Sequence, residues 1–173
     1  MQAIWTNSPN ILNPLRNLQT LYLTNSQIKT IPKDAFRDML ALKDIDFSGN
    51  QLSTWTANMF NFSQMSFINM SHNLISLVNK SSIVGLPPGI SLDLQHNPFS
   101  CYCDLIWFRE QMDSDFNGTV PSLQLLNVDR YICNTPEKMA GLPLKEFHPI
   151  QIRDECAHLP WRYILLALLG SSS

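Results

Sequence analysis

The sequence predicts an α/β solenoid. Short parallel strands would stack repeat upon repeat on a concave side, opposite an irregular convex side, and a disulfide-bonded cap containing a helix would close the C-terminal end. Three observations predict this fold: one apolar pattern recurs at a fixed spacing over residues 18–99, four cysteines follow it, and charged residues make up only 15% of the chain. The formal net charge of −2 over 173 residues gives no reason to expect nucleic acid as a partner.

The repeat is clearest between residues 42 and 75, where two copies of one pattern lie in register. The copies are Leu42, Ile45, Phe47, Asn50, Leu52 and Met65, Ile68, Met70, Asn73, Ile75. Both fit L-x-x-L-x-L-x-x-N-x-L with other apolar residues in place of leucine, which is the signature of a leucine-rich repeat. Extending the register gives four repeats, which begin at Leu18, Leu42, Met65 and Gly89.

Alternation within each strand assigns the side chains to two sides. Leu21 should point into the core and Tyr22 out of it, because neighbouring side chains of a strand point to opposite faces. A late position of each repeat is also apolar, and we expect these side chains to fill the core from the convex side. They are Phe36, Phe60 and Ile83.

The ninth position of the repeat explains the asparagines. There the chain turns sharply, and an asparagine amide can both donate and accept hydrogen bonds with backbone groups that the turn leaves unpaired. We therefore expect Asn50, Asn73 and Asn97 to stack as a ladder. Ser26 occupies this position in the first repeat, where it can form fewer such bonds.

The outward side chains of the strands should form a polar, mildly acidic concave face. Its columns are Tyr22, Asp46, Asn69, Asp93 and Thr20, Asp44, Phe67, Ser91. The face is either a binding surface or an ordinary solvated sheet surface. The candidate binding residues are Tyr22, Asp44, Asp46, Phe67 and Asp93.

His72 and His96 each precede the asparagine of their repeat and should be near neighbours, about one strand spacing apart. Such a pair can sense acidification of an endosome. The alternative is that histidine is tolerated in this exposed turn and has no further role.

Glycosylation sequons and cysteines both indicate an oxidising, secretory environment. The sequons begin at Asn61, Asn69, Asn79 and Asn117. Cys101 and Cys103 are too close to pair comfortably, so either can bond Cys133 and the other Cys156. A zinc site is the competing interpretation, but the C-x-x-C spacing typical of zinc sites is absent.

The remaining segments complete the domain organisation. Residues 1–17 fit the tail of an upstream repeat whose strand is missing, so we expect a longer ectodomain; the alternative is a protein that begins at Met1 with an open edge. The cap should span 100–158, with a short helix from Asp104 to Met112 that Asp104 caps, and an irregular loop over 113–130. Residues 159–173 suggest a juxtamembrane segment and the start of a membrane span, or else a short apolar tail.

The cap carries a set of motifs beyond the repeats. They are N-P-F-x-C-x-C from Asn97 to Cys103, Trp107-Phe108, Tyr131-x-Cys133-Asn134-Thr135-Pro136, Gly141-Leu142-Pro143-Leu144 and Cys156. With these motifs, residues 18–169 resemble the C-terminal repeats and cysteine-rich flank of Toll-like receptor ectodomains. The resemblance implies the disulfides Cys101–Cys133 and Cys103–Cys156.

The resemblance also implies a function. It implies the membrane-proximal ectodomain of an innate immune receptor, outside the cell or in the endosomal lumen, where ligand brings two ectodomains together. The implied partners are a second receptor ectodomain, a microbial or endogenous ligand, and the membrane through the continuation of the C-terminus. No catalytic constellation or cofactor motif occurs in the sequence, so we expect no enzyme activity, no cofactor and no metal. The alternative function is a leucine-rich-repeat adhesion receptor or a binding protein of the variable lymphocyte receptor type.

Overall fold

The computed structural model describes residues 12, 14–60, 64–112, 123–148 and 150. In chain order its strands are β1 (Thr20–Tyr22), β2 (Asp44–Asp46), β3 (Phe67–Asn69), β4 (Ser91–Asp93), β5 (Phe99–Ser100), β6 (Gln124–Leu126) and β7 (Cys133–Thr135). The main sheet has the order β1-β2-β3-β4-β6, and β5 pairs with β7 in a second sheet. Every one of these pairings is parallel, which confirms the predicted fold class.

The strands stack in the register that the repeat pattern predicts. The central residues of the first four strands, Leu21, Ile45, Ile68 and Leu92, are direct neighbours across the sheet. Three of them, Ile45, Ile68 and Leu92, are completely buried. Burying such an aliphatic side chain contributes about 1.5–3 kcal/mol, so each repeat adds to the stability of the stack through its neighbour.

Short helical turns form the convex side. A 3-10 turn spans Ala57–Met59 and helix α1 spans Lys80–Ile83. The rings of Phe36 and Phe60 stack with their centroids 5.4 Å apart. Phe36, Phe60 and Ile83 are all buried, so the predicted late column does fill the core from this side.

The amide of Asn73 ties two neighbouring turns together. Its Nδ2 donates to the carbonyl of Phe47 at 3.0 Å and to that of Met70 at 3.1 Å, and its Oδ1 accepts from the Leu52 N–H at 3.0 Å. Phe47 and Leu52 belong to the preceding repeat. One side chain therefore bonds backbone groups in two successive turns, and it is the acceptor for the buried Leu52 N–H.

Asn50 and Asn97 make equivalent contacts in their own repeats. Oδ1 of Asn50 accepts from the N–H groups of Ser26 at 3.0 Å and Ile28 at 2.9 Å. Nδ2 of Asn97 donates to carbonyls of the third and fourth repeats at 2.9 Å each. Among the described residues the Ser26 hydroxyl donates a single bond, to the Thr24 carbonyl at 2.9 Å. The side chain at the ladder position therefore makes the fewest hydrogen bonds in the first repeat.

The residue before each ladder position has a left-handed backbone. The φ angles of Asn25, Gly49, His72 and His96 are 51°, 70°, 52° and 55°. Glycine tolerates this region because it has no Cβ, and asparagine and histidine are enriched there among the other residues. The sharp turn therefore accounts for the residue types at this position, including both histidines.

The prediction of an irregular loop over residues 113–130 is wrong for its described end. Residues 124–126 form β6, with Leu125 opposite Leu92, and Val128–Arg130 form a 3-10 turn. Without β6, the outer edge of β4 would present unpaired backbone groups. The cap therefore adds a fifth strand to the repeat sheet.

The predicted helix from Asp104 to Met112 is shorter than expected. A 3-10 turn at Cys103–Leu105 leads into helix α2 (Ile106–Glu110). Asp104 lies inside the 3-10 turn, and extended Tyr102 precedes that turn, so Asp104 is not the N-cap. As expected of a cap, the buried side chains include Leu105, Ile106 and Phe108.

No helix within the described residues has the length and apolar character needed to span a membrane. The apolar segment predicted within residues 159–173, and the residues assigned to an upstream repeat up to 11, lie outside the described residues.

Replacing Asn73 with alanine should lower the free energy of unfolding by about 1–3 kcal/mol, because the Leu52 N–H loses its acceptor and a buried backbone group left without a partner costs about that much. Urea unfolding followed by circular dichroism measures the loss. Ser53→Ala, at an exposed position of the second repeat, is the control and should change stability by less than about 0.5 kcal/mol. An Asn73→Ala loss as small as that of the control would contradict the ladder.

Candidate functional site

The concave face is built from two outward positions on each strand. The register places Asp44 between Thr20 and Phe67, and it places Asp46 between Tyr22 and Asn69. The predicted columns therefore run as continuous rows across β1, β2 and β3.

Four of the five candidate binding residues are accessible on this face. Tyr22 is 72% exposed, and Asp44, Asp46 and Phe67 are partly buried. The Ser66 hydroxyl donates to Oδ1 of Asp44 at 2.8 Å. Each carboxylate has several acceptor sites, so Asp44 can still accept a hydrogen bond from a ligand beside the exposed ring of Tyr22.

The column that contains Asp46, Asn69 and Asp93 has a structural task as well. In each residue Oδ1 accepts from the backbone N–H two positions later, at 2.7–2.9 Å. Such side-chain bonds define Asx turns. The neighbours are also linked across the sheet, since Nδ2 of Asn69 donates to Oδ2 of Asp46 at 3.1 Å. Only part of the polar surface in this column is free for a ligand.

The prediction that Asp93 lies on the exposed face is wrong. Asp93 is 5% exposed, and its Oδ2 accepts from Nδ2 of Asn127 at 2.7 Å and from Nε2 of Gln95 at 3.0 Å. Asn127 follows β6, so the cap covers this end of the face. No periodic signal points to Asn127, because it lies outside the repeats.

The structure distinguishes the two sequons that it describes. Asn79 is exposed, precedes α1, and makes no side-chain capping bond. Asn69 is half-buried, and both ends of its amide are bonded within the Asx column. Asn61 and Asn117 lie outside the described residues.

Tyr131 ends the strand ladder in the cap. In the first three repeats, the N–H after the strand donates to a carbonyl of the next repeat, as from Phe47 to Asn69 at 2.8 Å. In the fourth repeat, the Leu94 N–H donates instead to the Tyr131 hydroxyl at 2.9 Å, and that hydroxyl donates to the Leu92 carbonyl at 3.4 Å. Burial raises the pKa of Tyr131 far above its ordinary value, which keeps the hydroxyl protonated.

A disulfide closes the cap directly after the last repeat. Cys101 and Cys133 are bonded, with their Cα atoms 5.6 Å apart, in the pairing that the resemblance implies. The bond lies beside the β5–β7 pair, where the Cys101 N–H also donates to the Thr135 carbonyl at 2.7 Å. Cys103 is disulfide-bonded too, and its expected partner Cys156 lies outside the described residues.

The two histidines are in direct contact. The ring centroids of His72 and His96 are 4.4 Å apart with an interplanar angle of 27°, and both residues are exposed. They form a small surface, separate from the concave face, at the turn that follows the strands.

Comparison with known sequences finds one matching family model and several similar proteins. The leucine rich repeat family model matches residues 16–65. The protein Toll of Drosophila melanogaster is 28% identical over 142 residues, which cover 78% of this chain and 13% of that protein. Toll-like receptor 6 of Dasypus novemcinctus is 30% identical over 167 residues, which cover 87% of this chain and 20% of that receptor. The chain therefore spans a fifth or less of the length of these two relatives.

Among solved structures, human 5T4 (Wnt-activated inhibitory factor 1, trophoblast glycoprotein) is similar with a TM-score of 0.65 and 22% sequence identity. The match covers 80% of this chain and 48% of that one. At this identity the likeness shows the fold alone, a leucine-rich-repeat solenoid, and the sequence relatives carry the assignment to a family.

Replacing Tyr131 with phenylalanine should lower the free energy of unfolding by about 1–3 kcal/mol, because the buried Leu94 N–H loses its acceptor while the ring still packs. Thermal and urea unfolding both measure this loss. Tyr102→Phe removes a hydroxyl from a tyrosine that is 40% exposed and is the matched control. Equal stability of the two variants would show that the hydroxyl of Tyr131 does not end the ladder.

In protein secreted from animal cells, Asn79 should carry an N-linked glycan and Asn69 should not, because only Asn79 offers a free, exposed amide. Peptide mapping after enzymatic deglycosylation in ¹⁸O water measures the occupancy of both sites in one sample. Similar occupancy at the two sites would contradict the distinction.

Proposed function

Since the chain belongs to the Toll-like receptor family of leucine-rich-repeat proteins, we propose that it acts in the ligand recognition and pairing of an innate immune receptor, as the membrane-proximal part of the ectodomain. Proteins of this class are non-enzymatic and bind ligands. In this arrangement residues 18–99 are the repeats, 100–158 the cap, and 159–173 the juxtamembrane segment and the start of the membrane span, with 1–17 as the tail of an upstream repeat.

The closure of the C-terminal end is the observation that carries this proposal. The cap joins the last repeat through β6, through the Tyr131 hydroxyl and through the pairing of Phe99 with Cys133, and the Cys101–Cys133 bond locks that pairing covalently where the chain leaves the repeats. A cap held by a sheet, a buried hydrogen bond and a covalent link has little freedom to move against the repeats. Such an end can pass the relative position of two ectodomains to whatever follows the cap in the chain.

The partners follow from the same proposal. A second receptor ectodomain would approach near the cap, and a microbial or endogenous ligand would bind this surface or upstream repeats. The concave face supports a modest role in ligand binding, because Tyr22 is exposed beside the carboxylates of Asp44 and Asp46. The membrane would be reached through the continuation of the C-terminus, with the described residues outside the cell or in the endosomal lumen.

A cross-linking experiment tests the proposed pairing in the full-length receptor. Ala140 lies exposed in the cap and Ser53 lies exposed in the second repeat, so Ala140→Cys and Ser53→Cys place one new thiol at each end. Receptors in cells carry complementary luciferase fragments on their cytoplasmic ends, and a short bismaleimide then links neighbouring copies. Linking at the cap should raise luminescence several-fold above linking at Ser53, because the caps adjoin the membrane in the proposed arrangement.

The amounts of linked dimer and of receptor at the cell surface are measured on the same samples. Equal luminescence from equal amounts of the two dimers would contradict a membrane-proximal cap. A cap variant that reaches the surface and is never linked would contradict pairing through this end.

A further inference from the structure

The contact between His72 and His96 is set by the backbone. Each residue has a left-handed backbone, with φ 52° and 55°. The His72 N–H donates to the Gln95 carbonyl at 3.0 Å, and the His96 N–H donates to the Arg130 carbonyl at 3.4 Å. Both anchor points therefore belong to the hydrogen-bonded stack of repeats, and only the side-chain torsions remain free.

The ladder residues fix the spacing of the pair further. Asn73 and Asn97 follow the two histidines directly and are 4% exposed each. Nδ2 of Asn97 reaches back to the Met70 carbonyl at 2.9 Å, across the gap between the two repeats. The ladder therefore fixes the spacing between the backbones of the two histidines, which lie on neighbouring repeats.

No described residue occupies the nitrogen atoms of this pair. Neither imidazole forms a hydrogen bond or an ion pair in the described part of the chain. Arg130, whose carbonyl accepts from the His96 N–H, directs its guanidinium to the neighbouring Gln95, where Nη1 donates to Oε1 at 3.3 Å. The four ring nitrogens are therefore without a hydrogen-bond partner among the described residues, on two exposed side chains.

We propose that His72 and His96 form a two-imidazole surface site for a divalent transition metal ion, with Cu²⁺ bound more tightly than Ni²⁺ or Zn²⁺. Neutral imidazole is the commonest protein ligand for such ions, and affinity at nitrogen sites rises to Cu²⁺ and falls again at Zn²⁺. One nitrogen of each ring binds the ion, and water fills the remaining positions.

The stacked arrangement is compatible with chelation. Ring centroids 4.4 Å apart and tilted by 27° leave the two ring edges side by side, and rotation about the last side-chain torsion turns one nitrogen of each ring toward a common point. This rotation is inexpensive because both side chains are exposed and torsions to an imidazole have broad energy wells. The fixed backbone removes most of the entropy loss that two unconnected histidines would suffer.

The first two repeats have no histidine at this position, so the proposed site is confined to the third and fourth repeats. Asn25 and Gly49 stand there with the same left-handed backbone but carry no imidazole. Among the described residues, no group of three or more histidine, cysteine or acidic side chains could hold a metal ion. The proposed site is therefore an open one, with coordination positions available to a group from a partner.

Asparagine is the appropriate replacement for either histidine, because Asn25 shows that it fits the left-handed turn. His72→Asn and His96→Asn remove one ligand each, and the double variant removes both. His148→Asn, at an exposed histidine in the cap, is the matched control. The probe is Cu²⁺ alone at pH 7.4, with binding measured by calorimetry and the number of bound nitrogens measured by electron paramagnetic resonance.

Each single variant should bind Cu²⁺ more than tenfold more weakly than the unaltered chain, and the double variant should be weaker still, with no imidazole left at this site. Only the unaltered chain and His148→Asn should show two coordinated imidazole nitrogens from this site. Far-ultraviolet circular dichroism checks that the variants keep the fold. Unchanged affinity in a folded single variant, or a spectrum from a single imidazole in the unaltered chain, would overturn the proposal.

Discussion

The fold depends on satisfying the backbone at one sharp turn in every repeat. A strand of three residues makes few hydrogen bonds of its own, and the turn that follows buries carbonyl and N–H groups away from water. The amide of an asparagine supplies both a donor and an acceptor there, and Asn73 bonds groups of two successive repeats at once. Since the packing of Ile45 on Ile68 needs the coils to be in register, this polar ladder and the apolar core stabilise the same arrangement.

At the C-terminal end of the stack the backbone groups of the last repeat also need hydrogen-bond partners, but there is no further repeat to supply them. The cap supplies chemically different groups at the equivalent positions. β6 pairs with β4, the Tyr131 hydroxyl replaces a strand carbonyl, and the Arg130 carbonyl accepts from His96 as Gln95 does from His72. The disulfide then holds these groups in place, and the functional proposal depends on the stiffness that results.

The repeat region was predictable from the sequence because its physics is periodic. The spacing of Leu21, Ile45, Ile68 and Leu92 determined both the register and the side that each residue faces, and the structure agrees. The cap has no period, so its residue pattern predicts neither β6 nor the position of Asp104 inside a 3-10 turn. Asp93 looked exposed for the same reason, since the residue that covers it, Asn127, comes from an aperiodic segment 34 positions later.

The candidate site was predictable only in its outline. Strand alternation placed Tyr22, Asp44, Asp46 and Phe67 on one face, but it could not show that Asp46 and Asn69 also hold the backbone as Asx turns. The histidine pair was placed correctly as neighbours. Their stacking and their left-handed backbone depend on the turn geometry, which a pattern of residue types does not contain.

Amide hydrogen exchange of the ¹⁵N-labelled chain tests most directly whether the cap continues the ladder. The Leu94 N–H should exchange as slowly as the equivalent N–H groups of Phe47 and Met70, because Tyr131 accepts from it as the next repeat accepts from them. Exchange of Leu94 at the rate of a solvent-exposed amide, with Phe47 and Met70 still protected, would show that the stack is left open at this end.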